Sequence, residues 1–84
     1  MTDAQLMQTK FLLQVLNNAI GLVADAALHA QVRIKSGVDL TIADYNLLRD
    51  HAERERWITG VASKFTGSPR WQITDEGRAA LAQM

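Results

Sequence analysis

Apolar and polar positions follow two rhythms along this chain, a helical one first and a strand-like one later. From about Ala4 to Ile20, Leu6, Leu13, Leu16 and Ile20 fall near one helical stripe, with Thr9 filling the gap. Phe11, Leu12, Val15 and Ala19 make a second apolar strip beside it. Asp3 is the expected N-cap. One stripe is enough to dock a surface helix. The extra strip has two readings: a first helix buried on both sides, or a surface shared with a second copy. Gly21 ends this helix, and Leu22-Val23 reads as a short extended link.

Asp25 is expected to cap a second helix running to about Lys35. Leu28 and Val32, with Ala24 and Gln31, mark its inner side. Ser36-Gly37 stops it, because glycine suits the left-handed position just past a helix end. Thr41 starts a third helix, with Asp44 at capping-box spacing. Ile42, Tyr45, Leu48 and Ala52 follow the i, i+3, i+4 rule and are expected to face the core. Asn46, Arg49, Asp50, Glu53 and Arg54 then share the outer side, where Asp50 and Arg54 stand at ion-pair spacing.

The rhythm changes at Trp57-Ile58. Two strand-like runs flank a polar tip, Thr66-Gly67-Ser68-Pro69, and Trp71-Gln72-Ile73-Thr74 alternates as a half-covered strand does. Thr74 is the expected N-cap of a last helix from Asp75 to about Gln83, with Asp75 and Glu76 favoured by the helix dipole. Ala79, Ala80 and Leu81 are its expected apolar contacts. The order is helix, helix, helix, strand, wing-like tip, strand, helix, in one 84-residue domain.

Charge sharpens this picture. Nine basic and nine acidic residues cancel, so only a local excess can attract a polyanion. Such an excess exists: no acidic residue falls between Ile58 and Thr74, a segment that bears Lys64 and Arg70. The chain has no cysteine, which removes disulfides and thiolate metal sites and fits a reducing cytoplasm. No run of about eighteen apolar residues suggests a membrane span, and the polar start MTDAQLMQTK is not a secretory signal.

The segment LTIADYNLLRDHAERERWITGVASKFTGSPRWQITDEGRAAL resembles the second half of winged helix-turn-helix domains. There a Ser or Thr starts the recognition helix, a hydrophobic pair such as Trp57-Ile58 closes it, and a basic-tipped hairpin follows. Ile73-Thr74-Asp75-Glu76-Gly77-Arg78 is similar to the step by which many bacterial winged-helix regulators leave the second wing strand. The layout is also similar to small stand-alone winged-helix proteins of phages and prophages. The resemblance implies a mainly α, α+β fold: a three-helix core, a β-hairpin wing and a short C-terminal helix. It implies binding of duplex DNA in transcriptional control, and the second apolar strip makes a homodimer through the first helix the expected form. Two departures stand out. Arg56 occupies a position where glycine is usual, and the third helix carries Asp44, Asp50, Glu53 and Glu55 against Arg49, Arg54 and Arg56, although counterion release favours a neutral or basic reading helix.

The candidate DNA contacts are Ile42, Asn46 and Arg49 on the third helix, Lys64 and Arg70 on the wing, and Arg33 and Lys35 at the end of the second helix. Arg reads guanine and Asn adenine when they reach base edges; Lys64 and Arg70 hold phosphates. Each has a plainer role: Lys64 and Arg70 as solubilising charges on an edge hairpin, Arg33 and Lys35 as cations matched to a helix C-terminus. Trp57 and Trp71 are expected in the core between hairpin and helix rather than as stacking platforms. Phe65 either packs back on the sheet or marks a partner contact. His29 and His51 lack metal-ligand spacing. Ser63 and Ser68 lack a nucleophile context, so neither an enzyme, a cofactor nor a small-molecule ligand is expected. The rival function is a winged helix whose same face meets a protein.

Overall fold

The computed structural model describes residues 2–62, 64–65 and 67–84. Helix α1 (Asp3–Asn18) is followed by strand β1 (Val23–Ala24), α2 (Asp25–Ser36), α3 (Ile42–Arg54), β2 (Ile58–Ala62), β3 (Pro69–Ile73) and α4 (Asp75–Gln83). The three strands form an antiparallel sheet in the order β1-β3-β2. This is a winged helix, with β2 and β3 as the wing. The Leu22-Val23 link is in part a strand: Val23 stands opposite Trp71 and Ala24 opposite Arg70.

The helix ends show local chemistry at work, with two corrections to the expected caps. Thr2, not Asp3, caps α1, and its hydroxyl accepts from Gln5 N–H while Gln5 Oε1 accepts from Thr2 N–H. Ala24 holds the N-cap position of α2, and Asp25 is already inside the helix, its carboxylate used elsewhere. Thr41 and Thr74 cap α3 and α4 as expected, accepting from Asp44 N–H and Gly77 N–H. Gly37 takes the left-handed conformation at φ 72° that ends α2.

Arg56 explains one departure from the winged-helix pattern. It adopts φ 61° without being glycine. Its N–H bonds Glu53 O and Trp57 N–H bonds Ala52 O, the paired bonds of a Schellman ending. The helix therefore stops as it would with glycine, at the strain cost of a left-handed arginine.

The core draws on every helix but the last: Leu12, Leu13 and Leu16 from α1, Leu28 and Val32 from α2, Tyr45, Leu48 and Ala52 from α3, closed by Ile58, Trp71 and Ile73 of the wing. Both apolar strips of α1 turn inward, because Val15 is buried and Phe11 packs on the core. The strip that suggested a dimer is thus used within the chain. The ends of the expected stripe are not: Leu6 is half exposed, and Ile20 lies beyond the helix end, fully exposed. Ala24 and Gln31 face outward, as does Ala79, while Ala80 and Leu81 turn partly inward. Ile42 is 67 % exposed; as the first residue of α3 it precedes the turn that meets the core.

Two glycines permit close approaches that position the wing. A Cβ at Gly60 would stand 2.7 Å from the ring of Trp71, its cross-strand partner. A Cβ at Gly77 would collide with the carbonyl oxygen of Trp57. Thr74 ties the same corner, donating to Arg56 O at 2.6 Å while its N–H bonds Trp57 O. The first turn of α4 therefore lies directly against the residues that link α3 to the wing.

Candidate nucleic-acid interface

The wing alternates faces. Trp71 and Ile73 point into the core, while Arg70 and Gln72 point out. Arg70 lies within strand β3, opposite both Val61 and Ala24, and not at the tip. Lys64 and Phe65 follow β2 and are exposed. Of the expected tip, Thr66 lies outside the described residues, Gly67 has φ 73°, and Pro69 opens β3. Ser63 also lies outside them. Among the described residues, neither Lys64 nor Arg70 has an acidic partner.

The other candidate cations are not gathered at the wing. Arg33 pairs with Asp39 at 3.5 Å across an exposed surface. Lys35 is exposed near the end of α2. It sits ten residues, about 15 Å of helix, from the end that touches the sheet. On α3, Ile42 is exposed and Asn46 half-buried.

Arg49 is engaged inside the chain. Its guanidinium reaches Asp25 at 3.1 Å and Asp50 at 3.1 Å, and its side chain keeps 17 % of its surface exposed. It also lies 5.6 Å from the ring centroids of both Tyr45 and Trp71, within cation–π range. Burial pulls its pKa down, but hydrogen bonds to Asp50 and Asp25 outweigh this and leave it raised. Asp50 thus pairs with Arg49 rather than with Arg54.

Asp25 is the centre of this group. Its Oδ1 accepts from Tyr45 Oη–H at 2.9 Å, from Trp71 Nε1–H at 3.0 Å and from Arg49. One carboxylate at the start of α2 therefore holds α3 and β3 together. The position also suits a negative charge on the helix dipole. Burial first, then the hydrogen bond and charge of Asp25, push the Tyr45 hydroxyl far above its ordinary pKa. His29 stacks on Tyr45, with ring centroids 4.8 Å apart, and its Nε2 lies 2.6 Å from Leu40 O. A carbonyl only accepts, so Nε2 carries the hydrogen. His51 meets Trp57 edge-on. Both histidines and both tryptophans thus have packing roles. The sequence carried no local signal for the Asp25 cluster, because the partners of Asp25 lie 20 to 46 residues from it.

With Arg49 balanced by Asp25, the outer side of α3 presents Asp44, Asp50 and Glu53 against Arg54. The wing presents only cations. The described residues hold no group of three side chains fit to bind a metal. No helix among them is long and apolar enough to cross a membrane. The arrangement offers two oppositely charged surfaces.

Neither a protein-family model nor a curated protein sequence matches the chain. Among solved structures, it is similar to a candidate transcriptional regulator, TA0346, of Thermoplasma acidophilum. The TM-score is 0.80 at 17 % identity, covering 94 % of this chain and 75 % of that one. At that identity the likeness establishes the fold, and function has to be argued from the surface.

Proposed function

We propose that this protein binds duplex DNA as a transcriptional regulator and grips the phosphate backbone with its wing. The carrying observation is the acid-free hairpin, on which Lys64 and Arg70 are both exposed and, among the described residues, have no acidic partner. Fixed cations on a β-ribbon suit phosphate contacts, which position a protein without reading sequence. On this reading Asn46 and Ile42 are the α3 groups that meet base edges, and Lys35 and Arg33 add charge farther away. Arg49 serves by fixing α3 against the wing, since reading a base would cost it Asp25 and Asp50. The similar fold of a candidate regulator supports this reading by analogy, and the small layout fits a phage-borne regulator.

A protein-binding module is the second reading. It is favoured by one feature, the acidic outer side of α3, which phosphates would repel.

Fluorescence anisotropy with random duplex DNA, as a function of salt, tests the proposal. Lys64→Ala/Arg70→Ala should weaken binding similarly for every sequence. It should also flatten the slope of log K against log salt by about 2, since each phosphate contact contributes about 0.9. Failure of the wild-type protein to bind near 50 mM salt, roughly where non-specific attraction is strong, would leave the protein-binding reading.

A further inference from the structure

The two charged surfaces are opposite in sign, and one bears a hollow where the other bears an exposed leucine. Outside the wing lies a shallow hollow of about 220 Å³, floored by Leu22, Val61 and Ala62 and bordered by Lys64, Phe65 and Arg70. Its floor is open: Leu22 is 40 % and Val61 53 % exposed. On α3, Leu47 projects at 59 % exposure. Asp44 and Asp50 stand three residues to either side of it on the same flank, about 9 Å apart along the helix. Asp50 meets Arg49 through Oδ1, which leaves Oδ2 outside that pair. Leu47, Leu22 and Val61 are exposed in the monomer.

We propose that α3 of one copy docks into the wing of a second, with Leu47 entering the hollow and Asp44 and Asp50 facing Lys64 and Arg70. The partner is a second copy because one chain of zero net charge carries both halves: an apolar knob between acids and an apolar hollow between cations. The two patches differ, so the contact is heterologous and copies add head to tail. One side chain in one hollow covers far less than a standard interface, so the contact is weak. Ion pairs at its edge make it sensitive to salt. It does not rest on the DNA reading, though it uses the same cations.

The test is sedimentation without DNA. The wild-type protein should associate at high micromolar concentration near 50 mM salt, and lose most of that association near 500 mM, where screening is roughly complete beyond a few ångströms. Lys64→Glu/Arg70→Glu spoils the wing and keeps the knob. Asp44→Ala/Leu47→Ser spoils the knob and keeps the wing. Each should be monomeric alone, and an equal mixture should form a one-to-one dimer that grows no further. A monomeric wild-type protein at low salt overturns the proposal. So does a mixture of the two folded variants that stays monomeric. Should either variant fail to fold by circular dichroism, introduced cysteines decide, since the chain has none. Leu47→Cys mixed with Ala62→Cys should give several-fold more mixed disulfide than same-variant disulfide under mild oxidation. Equal yields overturn the contact.

Discussion

Arg56 shows how a single residue can keep a structural role while breaking its usual identity. The Schellman bonds at the end of α3 need a left-handed residue, and arginine fills the place at φ 61°. A left-handed non-glycine costs roughly 1–2 kcal/mol, partly offset by the greater unfolded-state freedom of glycine. Arg56→Gly should therefore stabilise the protein by about 0.5–1 kcal/mol, read from the denaturant midpoint. Arg56→Ala should change little. A loss of stability with glycine would mean that the arginine side chain, not the backbone, matters there. Tyr45 gives a second test at this scale. Its raised pKa means that the folded state holds the proton more tightly than the unfolded state does. Its contribution to stability is complete below the unfolded value of about 10 and declines as pH rises above it. It is the only tyrosine, so phenolate absorbance is specific to it. That absorbance should appear in the native protein only together with alkaline unfolding, while denatured chain titrates near pH 10, roughly the model value. Phenolate forming at pH 10 in folded protein would contradict the burial of Tyr45.

One carboxylate adds a polar tie between elements that the apolar core already joins. Asp25 joins the start of α2 to α3 through Tyr45 and Arg49, and to β3 through Trp71. Asp25→Ala would strand Trp71 Nε1–H, leave the Tyr45 hydroxyl only its long bond to the carbonyl of residue 25, and leave Arg49 with Asp50 alone. A cost of about 2–4 kcal/mol follows, below that of a fully buried pair because both ions keep some water. Arg49→Ala should also lower the melting temperature, by an amount independent of DNA. If it weakens DNA binding and leaves stability unchanged, Arg49 is a base reader after all. The contrast also marks what a sequence can disclose. Helix phase, the Gly37 and Thr41 boundaries, the hairpin and the Thr74 cap were legible because each depends on residues within a few positions. Asp25 looked like an N-cap because its local context is that of a cap; its actual partners lie on α3 and β3. Leu47 is not legible in the pattern, because one exposed leucine on a helix has no period of its own. Ile20 keeps the helical period yet stands outside the core, because periodicity does not mark the residue at which the helix stops.

At the scale of the whole molecule, zero net charge conceals a polar arrangement: a cationic wing, and an α3 whose outer side is acidic. The wing then has two proposed occupants, phosphate and the Asp44–Leu47–Asp50 surface of another copy, which compete for the same cations. Linkage makes the competition reciprocal. Duplex DNA added to concentrated protein should break up the head-to-tail complexes, seen as a fall in protein–protein association by sedimentation. Conversely, the apparent affinity of each wing for DNA should drop as protein concentration rises. Leu47→Ser removes the knob without adding charge, so its DNA affinity should not vary with protein concentration. If wild-type binding instead tightens as protein is added, copies are assembling on DNA with their wings engaged. The self-contact would then have to lie elsewhere on the surface, with the wing left to the phosphates.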